Sequence, residues 1–282
     1  MIAVMESGMR SAPGIGGPRG GVSRGVQSAE ITLQLLRLLI EAGGALPLRA
    51  LAASACMPAA KVHRYLVSLV REGYVEQSGS ERHYDLGPRS LELAHACLAR
   101  IKPVRAAGEA LPALCRRVNE TVAVAVWGRG GPVFVRYEDP PHSMVGHVRV
   151  GAPIPVLRSA SGRVLAAWLP EGVVRPFVRE ELKLATRARD PRGPRSWDSA
   201  MKVFAAVRSA GLARVEGYLL NGINALSAPV FDEREHAVLA VTVLGDASRF
   251  DGSPDGAAAR ALRDTTRELS RRLAADSIST NP

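Results

Sequence analysis

Three closely spaced helical segments followed by a hairpin constrain the fold of this chain more than any other feature. Apolar residues recur at helical spacing from Ser28, the expected N-cap, to a stop at Gly43. A short second helix follows Pro47. A third is predicted to begin at Pro58, where proline is tolerated in a first helical turn, and to end at Gly73.

Two short strands are predicted after the third helix, over residues 74–77 and 83–86, with a polar loop at 78–82. The order helix, helix, short turn, helix and hairpin is that of a winged helix-turn-helix. In that motif the third helix enters the DNA major groove and the hairpin lies along the backbone. Cys56 falls in the turn before the third helix, and we expect it to pack there as a small side chain.

The rest of the chain mixes helices with adjacent strands. A helix over 88–98 leads out of the first module, and Pro103 is expected to mark its end or a kink. Further helices are predicted near 106–118, 159–169, 171–182, 199–210 and 254–275, and strands near 122–127, 133–137, 145–150, 223–231 and 237–244. This pattern favours a separate α+β domain with an antiparallel sheet.

The same patterns divide the chain into five segments. Residues 1–27, rich in glycine and proline, are expected to form a disordered arm. Residues 28–87 form the winged helix-turn-helix, 88–104 a linker helix, 105–276 the α+β domain and 277–282 a tail.

The formal net charge of +10 makes nucleic acid or an anionic membrane surface the first partner classes to consider. The first 100 residues hold 11 basic and 8 acidic side chains, and the other 182 hold 26 basic and 19 acidic ones. The positive charge is therefore spread along the chain, and the arrangement of individual charges must decide between these partner classes. Apolar runs are too short for a membrane span, so no membrane partner is expected. Three widely spaced cysteines are typical of a reducing cytoplasm, where we expect the protein to reside.

The third helix carries the charges that matter. Val62, Leu66 and Leu69 share an apolar face, which leaves four residues towards DNA: Ala60, Lys61, His63 and Arg64. Arg64 is the candidate for a bidentate contact to guanine. Lys61, and Arg82 on the hairpin, are candidates for phosphate contacts. Arg64 could instead be an exposed charge paired with a nearby glutamate, and His63 could be merely solvated.

Several runs in this order resemble the IclR family of bacterial transcription regulators. The first module contributes 46–52 (LPLRALA), 57–66 (MPAAKVHRYL) and 84–87 (YDLG). The second contributes 151–155 (GAPIP), 159–163 (SASGR), 222–232 (GINALSAPVFD) and 239–245 (LAVTVLG). The resemblance covers about residues 28–275.

The resemblance implies a GAF-like effector domain, a homodimer or homotetramer, and operator binding modulated by a small molecule, often an organic or aromatic acid. The implied effector-binding residues are Ala160, Ser161, Val215, Ile223, Ala225, Thr242 and Leu244. Ser161 and Thr242 would supply hydroxyls, and the helix start near Ala160 would favour an anion. Val215 stands where the family often has an acid, which suggests an effector more apolar than a small keto acid. Each of these residues could instead be a plain core side chain.

Two other functions stay open at this point. The chain could be a ligand-independent DNA-binding regulator whose second domain serves only dimerisation. An enzyme is disfavoured, because 159–162 does not form a GxSxG elbow and His142 and His147 lack companions at metal-ligand spacing. We therefore predict no catalytic residue, metal or cofactor, with operator DNA, an effector and a second copy of the chain as partners.

Overall fold

The computed structural model describes residues 25–78, 82–141, 150–151, 153–187 and 192–278. The chain divides into two compact units, one ending at Arg100 and the other beginning at Ile101. The described residues contain no helix long and apolar enough to cross a membrane. Within the same ranges, no group of three or more His, Cys, Asp or Glu side chains is placed to hold a metal ion.

The first unit is a three-helix core with a small sheet and one further helix. Its elements are α1 (Gln27–Ala42), β1 (Leu46–Pro47), α2 (Leu48–Ser54), α3 (Ala59–Arg71), β2 (Val75–Gln77), β3 (His83–Leu86) and α4 (Pro88–Arg100). The antiparallel sheet has the order β1-β3-β2. Its core is formed by apolar side chains of α1, α2 and α3 together with Val75 and Tyr84, which confirms the predicted winged helix-turn-helix packing.

Two predicted helix starts in this unit were wrong, and one strand was missed. Ser28 is not the N-cap of α1: the helix begins at Gln27 after Val26, and the Ser28 carbonyl accepts a hydrogen bond from the Thr32 hydroxyl. The second helix follows Pro47 as predicted, but Pro47 also belongs to β1, a strand missed because two residues carry no alternation. Pro58 is the N-cap of α3, with its carbonyl accepting the Lys61 amide at 2.9 Å, and is not in the first turn.

Cys56 occupies a strained backbone position. Its φ is +51°, in the left-handed region that disfavours residues with a Cβ, and its side chain is exposed. The prediction that Cys56 packs in the turn as a small side chain was therefore wrong. Its predicted place in the turn between α2 and α3 is correct, and glycine would adopt the positive φ there without strain.

Replacing Cys56 by glycine should stabilise the first unit by about 0.5–1 kcal/mol. Relief of the left-handed strain, about 1–2 kcal/mol, exceeds the about 0.5–1 kcal/mol entropy cost of the glycine. Thermal unfolding of the full-length protein would show the gain as a higher melting temperature for this unit. Cys97→Gly, inside α4, is the contrasting variant and should be destabilising, so an equal response of both variants would contradict the strain argument.

The predicted linker falls into two helices. Helix α4 ends at Arg100 and α5 begins at Lys102, so Pro103 lies in the first turn of α5 and does not end or kink the linker. Among the described residues, none of the side chains of α4 is buried. Leu91 and Leu93 are 73% and 61% exposed, which leaves apolar surface uncovered in the single chain.

The second unit is a five-stranded antiparallel sheet with helices on both faces. Its elements are α5 (Lys102–Val118), β4 (Thr121–Gly128), β5 (Gly131–Glu138), α6 (Ala160–Trp168), α7 (Glu171–Arg187), α8 (Trp197–Ala210), β6 (Ala213–Glu216), β7 (Ile223–Phe231), β8 (Ala237–Asp246) and α9 (Ala257–Ile278). The strand order is β5-β4-β8-β7-β6. Helices α5 and α9 pack together and against strands of the sheet, and α6 packs on strands and on α8.

The predicted α+β architecture is confirmed, with differences at some elements. Edge strand β6 was missed, because four residues, Ala-Arg-Val-Glu, are too short to stand out from a loop. Helix α9 begins at Ala257 and not at Pro254, since a turn closed by the Gly256 amide on the Ser253 carbonyl precedes it. The predicted strand at 145–150 lies almost wholly outside the described residues, as do His142, His147 and residues 1–24 of the predicted arm.

Candidate functional sites

Helix α3 presents a polar face opposite its core face. Val62, Leu66 and Leu69 are buried against α1 and α2. On the other side, the four candidate DNA contacts lie in the first two turns: Ala60, His63 and Arg64 are exposed and Lys61 is half-buried. The structure therefore brings these four side chains to the amino-terminal half of one helix, the part that reaches base edges in helix-turn-helix proteins.

His63 is not merely solvated. Its ring nitrogen Nδ1 lies 3.2 Å from the hydroxyl of Tyr84, a hydrogen bond between α3 and β3. The Tyr84 side chain is 3% exposed and belongs to the core of the first unit. This bond joins the third helix directly to the central strand of the small sheet, and no sequence signal indicated it.

Arg82 lies at the loop end of the β2–β3 hairpin, directly before β3. Its amide donates to the Ser78 carbonyl at 3.2 Å, and the Ser78 amide donates to the His83 carbonyl at 2.9 Å, which closes the hairpin stem. The Arg82 side chain is exposed, with a backbone φ of +51°. Its position at the wing suits the predicted phosphate contact.

The exposed face of α3 also contains an apolar residue that sequence reasoning missed. Val67 is 42% exposed and follows His63 by four positions, so the two side chains are neighbours on the helix surface. An exposed valine beside polar groups can contact the methyl group of thymine. The helical wheel places Val67 on the same exposed face as His63, so the sequence did carry a signal for it.

All seven residues implied as effector-binding line one small cavity in the second unit. Four further residues complete its lining: Phe134, Ser159, Leu219 and Leu220. The strand register explains the convergence, because Val215, Ala225 and Leu244 are direct partners across β6, β7 and β8. Ile223 and Thr242 lie two residues along their strands and thus on the same face. Helix α6 covers this face and contributes Ala160 and Ser161.

Two hydroxyl groups of the cavity wall, those of Ser161 and Thr242, belong to a buried chain of three that ends at Ser227, outside the lining. Thr242 Oγ1 lies 2.7 Å from Ser161 Oγ and 2.9 Å from Ser227 Oγ. Ser227 Oγ also donates to the Val241 carbonyl at 3.1 Å. Sequence reasoning missed Ser227, although it continues the alternation of Ile223 and Ala225 along β7 and so could have been found. Because these hydroxyls already bond one another, a polar ligand must exchange bonds with them.

The start of α6 is anchored by its own cap and by a half-buried acid, Glu181. Ser159 Oγ accepts the Gly162 amide at 2.9 Å. The carboxylate of Glu181, on α7, accepts the Leu157 amide at 2.9 Å and also the Val156 amide. Burial raises the pKa of Glu181, and the two backbone hydrogen bonds oppose that rise. The loop that leads into α6 is therefore fixed from both sides.

Tyr218 holds the opposite wall of the cavity. Its hydroxyl donates to the Arg192 carbonyl at 2.6 Å, and its ring is 7% exposed. The guanidinium groups of Arg158, Arg163 and Arg192 lie 5.4, 6.0 and 5.1 Å from the ring centroid. Arg158 also donates to the Tyr218 carbonyl at 3.2 Å. These contacts position the segment whose next two residues, Leu219 and Leu220, line the cavity.

The cavity volume is about 20 Å³. One water molecule needs about 10–15 Å³ of such space, whereas ligand pockets usually measure about 300–1,000 Å³. The side chains therefore close the cavity to anything larger than a water molecule or two. A larger groove of about 880 Å³ runs along α7 near Trp197, but it is open and includes none of the implied effector residues.

Two family profiles match the chain. The IclR helix-turn-helix domain matches residues 28–79, and the domain described as bacterial transcriptional regulator IclR C-terminal matches residues 95–271. The glycerol operon regulatory protein of Streptomyces griseus is 29% identical over 257 residues, which are 90% of this chain and 99% of that protein. The regulator XynR of Escherichia coli is 26% identical over 80% of this chain and 88% of its own length.

Solved structures show the same fold. HmgR from Pseudomonas aeruginosa is 37% identical with a TM-score of 0.55, covering 88% of this chain and 98% of that chain. A regulator from Alicyclobacillus acidocaldarius is 25% identical with a TM-score of 0.74, covering 88% and 99%. A homolog from Microbacterium hydrocarbonoxydans, solved in complex with 4-hydroxybenzoate, is 19% identical with a TM-score of 0.73, covering 88% and 100%.

Proposed function

The chain belongs to the IclR family of bacterial transcriptional regulators, and on that premise we propose how it recognises DNA and an effector. Residues 28–87 bind operator DNA through Ala60, Lys61, His63 and Arg64 on α3 and Arg82 on the wing. Residues 105–276 bind a small molecule in the cavity beneath α6. Binding of this molecule changes the affinity of the protein for its operator. The proposal assigns no catalytic activity, and it places the protein in the cytoplasm with the DNA.

One observation supports the effector site most strongly. Side chains from α6, β6, β7 and β8, up to 84 positions apart in sequence, converge on one cavity with hydroxyls on one side and apolar groups on the other. A pocket of mainly apolar lining with a few polar groups is the usual form of a small-molecule site. The α6 amino terminus favours a negative charge, so we propose an organic acid with an apolar or aromatic body as effector. The 4-hydroxybenzoate complex of the Microbacterium homolog is consistent with that class.

Thermal unfolding with a panel of aromatic and aliphatic carboxylic acids tests the effector proposal. A ligand that binds only the folded protein raises the free energy of unfolding by about 2.7 kcal/mol at 100 times its Kd. Ala225→Val, which adds two methyl groups to the cavity wall, should reduce the shift, and operator binding without ligand should stay close to that of the wild type. If no acid shifts unfolding or operator affinity, the second unit serves only oligomerisation and the chain is a ligand-independent regulator.

We also propose that the protein acts as a homo-oligomer. The support is the uncovered apolar surface of α4, where Leu91 and Leu93 are exposed, together with exposed Leu33 and Ile40 on α1. Recognition helices of a dimer reach half-sites about one helical turn of DNA apart. Light scattering of the full-length protein gives the number of subunits, and a footprint upstream of its own and neighbouring genes gives the operator.

Lys61→Ala should weaken binding to operator and random DNA equally. A lysine that neutralises one phosphate carries no base information, so its loss should reduce the slope of log Kd against log salt concentration by about 1. Binding isotherms at several salt concentrations on both DNAs measure this. A loss confined to the operator would instead assign Lys61 to base recognition.

A further inference from the structure

The side chain of Tyr84 hydrogen-bonds to the side chain of His63, one of the candidate DNA contacts. Tyr84 lies on β3, the central strand of the small sheet, where it pairs with Leu46 and Gln77. Its ring is enclosed in the core of the first unit, so its hydroxyl is held in a fixed place. That hydroxyl meets His63 Nδ1 at 3.2 Å. A core tyrosine thus fixes the orientation of a surface histidine on the third helix.

We propose that Tyr84 positions His63 for DNA by selecting one tautomer of its ring. The proposal rests on the proposed function of α3 as the DNA-contacting helix. The Tyr84 hydroxyl donates to Nδ1, so the neutral imidazole carries its proton on Nε2. The two ring nitrogens point to nearly opposite sides, and Nε2–H is therefore directed away from the core, towards the exposed face of α3.

The direction of the hydrogen bond follows from burial. A buried hydroxyl proton needs an acceptor. The free energy lost when it has none is larger than the net free energy gained from an ordinary hydrogen bond. Among the described residues, the acceptor placed for the Tyr84 hydroxyl is His63 Nδ1. Were Nδ1 protonated in the neutral ring, Tyr84 would have to accept and its own proton would lose that partner. The bond therefore favours Nδ1 as acceptor.

The tautomer determines what His63 can contact on DNA. An Nε2–H group donates, so it fits the acceptors on base edges: guanine N7 or O6, adenine N7 or thymine O4. It does not fit the amino groups of adenine or cytosine, which are donors. His63 thereby adds a second donor beside Arg64 on a helix whose residues 59 and 60 are both alanine.

The test combines a spectroscopic and a binding measurement on the full-length protein. Long-range ¹H–¹⁵N NMR of the imidazole nitrogens should show His63 as the Nε2–H tautomer in the wild type and a mixture of tautomers in Tyr84→Phe. Tyr84→Phe should also weaken operator binding by about three- to tenfold, the range of one net hydrogen bond, with random DNA unchanged. Tyr74→Phe, a half-buried tyrosine of the same core, is the matched control and should change neither readout.

A double mutant separates this proposal from the proposed function. If Tyr84 acts through His63, the Tyr84→Phe/His63→Ala protein should bind the operator no more weakly than His63→Ala alone. A wild-type ring protonated on Nδ1, or additive losses in the double mutant, would overturn the role of Tyr84. Unchanged operator affinity for both His63→Ala and Arg64→Ala would instead overturn the assignment of α3 as the recognition helix.

Discussion

Replacing Arg64 by alanine should weaken binding to the operator by about tenfold to a hundredfold, with a much smaller effect on random DNA. The guanidinium group is exposed in the second turn of α3, where a bidentate bond to guanine contributes about 1–3 kcal/mol of discrimination against other bases. Random DNA offers the side chain only phosphate contacts, which charge alone can make. Competition binding with operator and random duplexes at one salt concentration measures both losses.

Arg71 provides the matched control for Arg64. It lies in the last turn of the same helix and is also exposed, so its replacement by alanine removes the same charge seven positions further along. Arg71→Ala should change operator affinity only slightly. Equal losses on operator and random DNA for Arg64→Ala would show that Arg64 contacts backbone and does not read a base. If the guanine that Arg64 contacts is replaced by another base, the wild type and Arg64→Ala should bind that operator with equal affinity.

Replacing Gly162 by alanine should destabilise the second unit by about 1–3 kcal/mol and abolish its response to effector. A Cβ built on Gly162 would lie 2.3 Å from the Pro155 carbonyl oxygen and 2.7 Å from Val156 Cα. Both are backbone atoms, and the Glu181 carboxylate holds the Val156 amide in place, so they cannot move aside independently. The substitution must therefore shift the start of α6, which forms one wall of the cavity.

Gly172→Ala is the matched control for Gly162→Ala. Gly172 lies in the first turn of α7, and a Cβ there would meet nothing within 4 Å among the described residues. This variant should unfold at the same or a slightly higher temperature, because alanine is the better helix former. Chemical denaturation of the two variants beside the wild type measures the difference. Two equally stable variants would show that the loop before α6 adapts more freely than its contacts indicate.

Parts of this fold could be predicted because short-range patterns alone determine them. The stripe that begins at Ile31 and the glycine at 43 define α1, and Val62, Leu66 and Leu69 define α3, to within two residues. Strands β1 and β6 could not be predicted, because two and four residues carry too little alternation and their place depends on the partner strand. The prediction of Ser28 as the N-cap of α1 was also wrong, because the helix begins at Gln27, one residue before the best capping residue.

The residues of the candidate sites also fall into those that could be predicted from the sequence and those that could not. Family resemblance named the cavity residues on α6 and β6–β8, and the strand register explains why they meet. Leu219 and Leu220 carried no signal, because their place on the cavity wall depends on the conformation of the loop after Tyr218. Phe134 lies on β5, and its place on the wall depends on packing between elements far apart in sequence. The His63–Tyr84 bond joins residues 21 positions apart in different elements, so only the packed structure could reveal it.

The closed cavity has a consequence for the speed of the proposed switch. A cavity of about 20 Å³ cannot admit an organic acid, so the cavity must open before the ligand enters. Opening requires motion of the walls held by Tyr218 and Glu181. The apparent Kd is then the Kd of the open form divided by the open fraction. At high effector concentration the rate of association should level off at the rate of opening. The latency of the transcriptional response would then be a property of the packing around two side chains, and raising the metabolite concentration further would not shorten it.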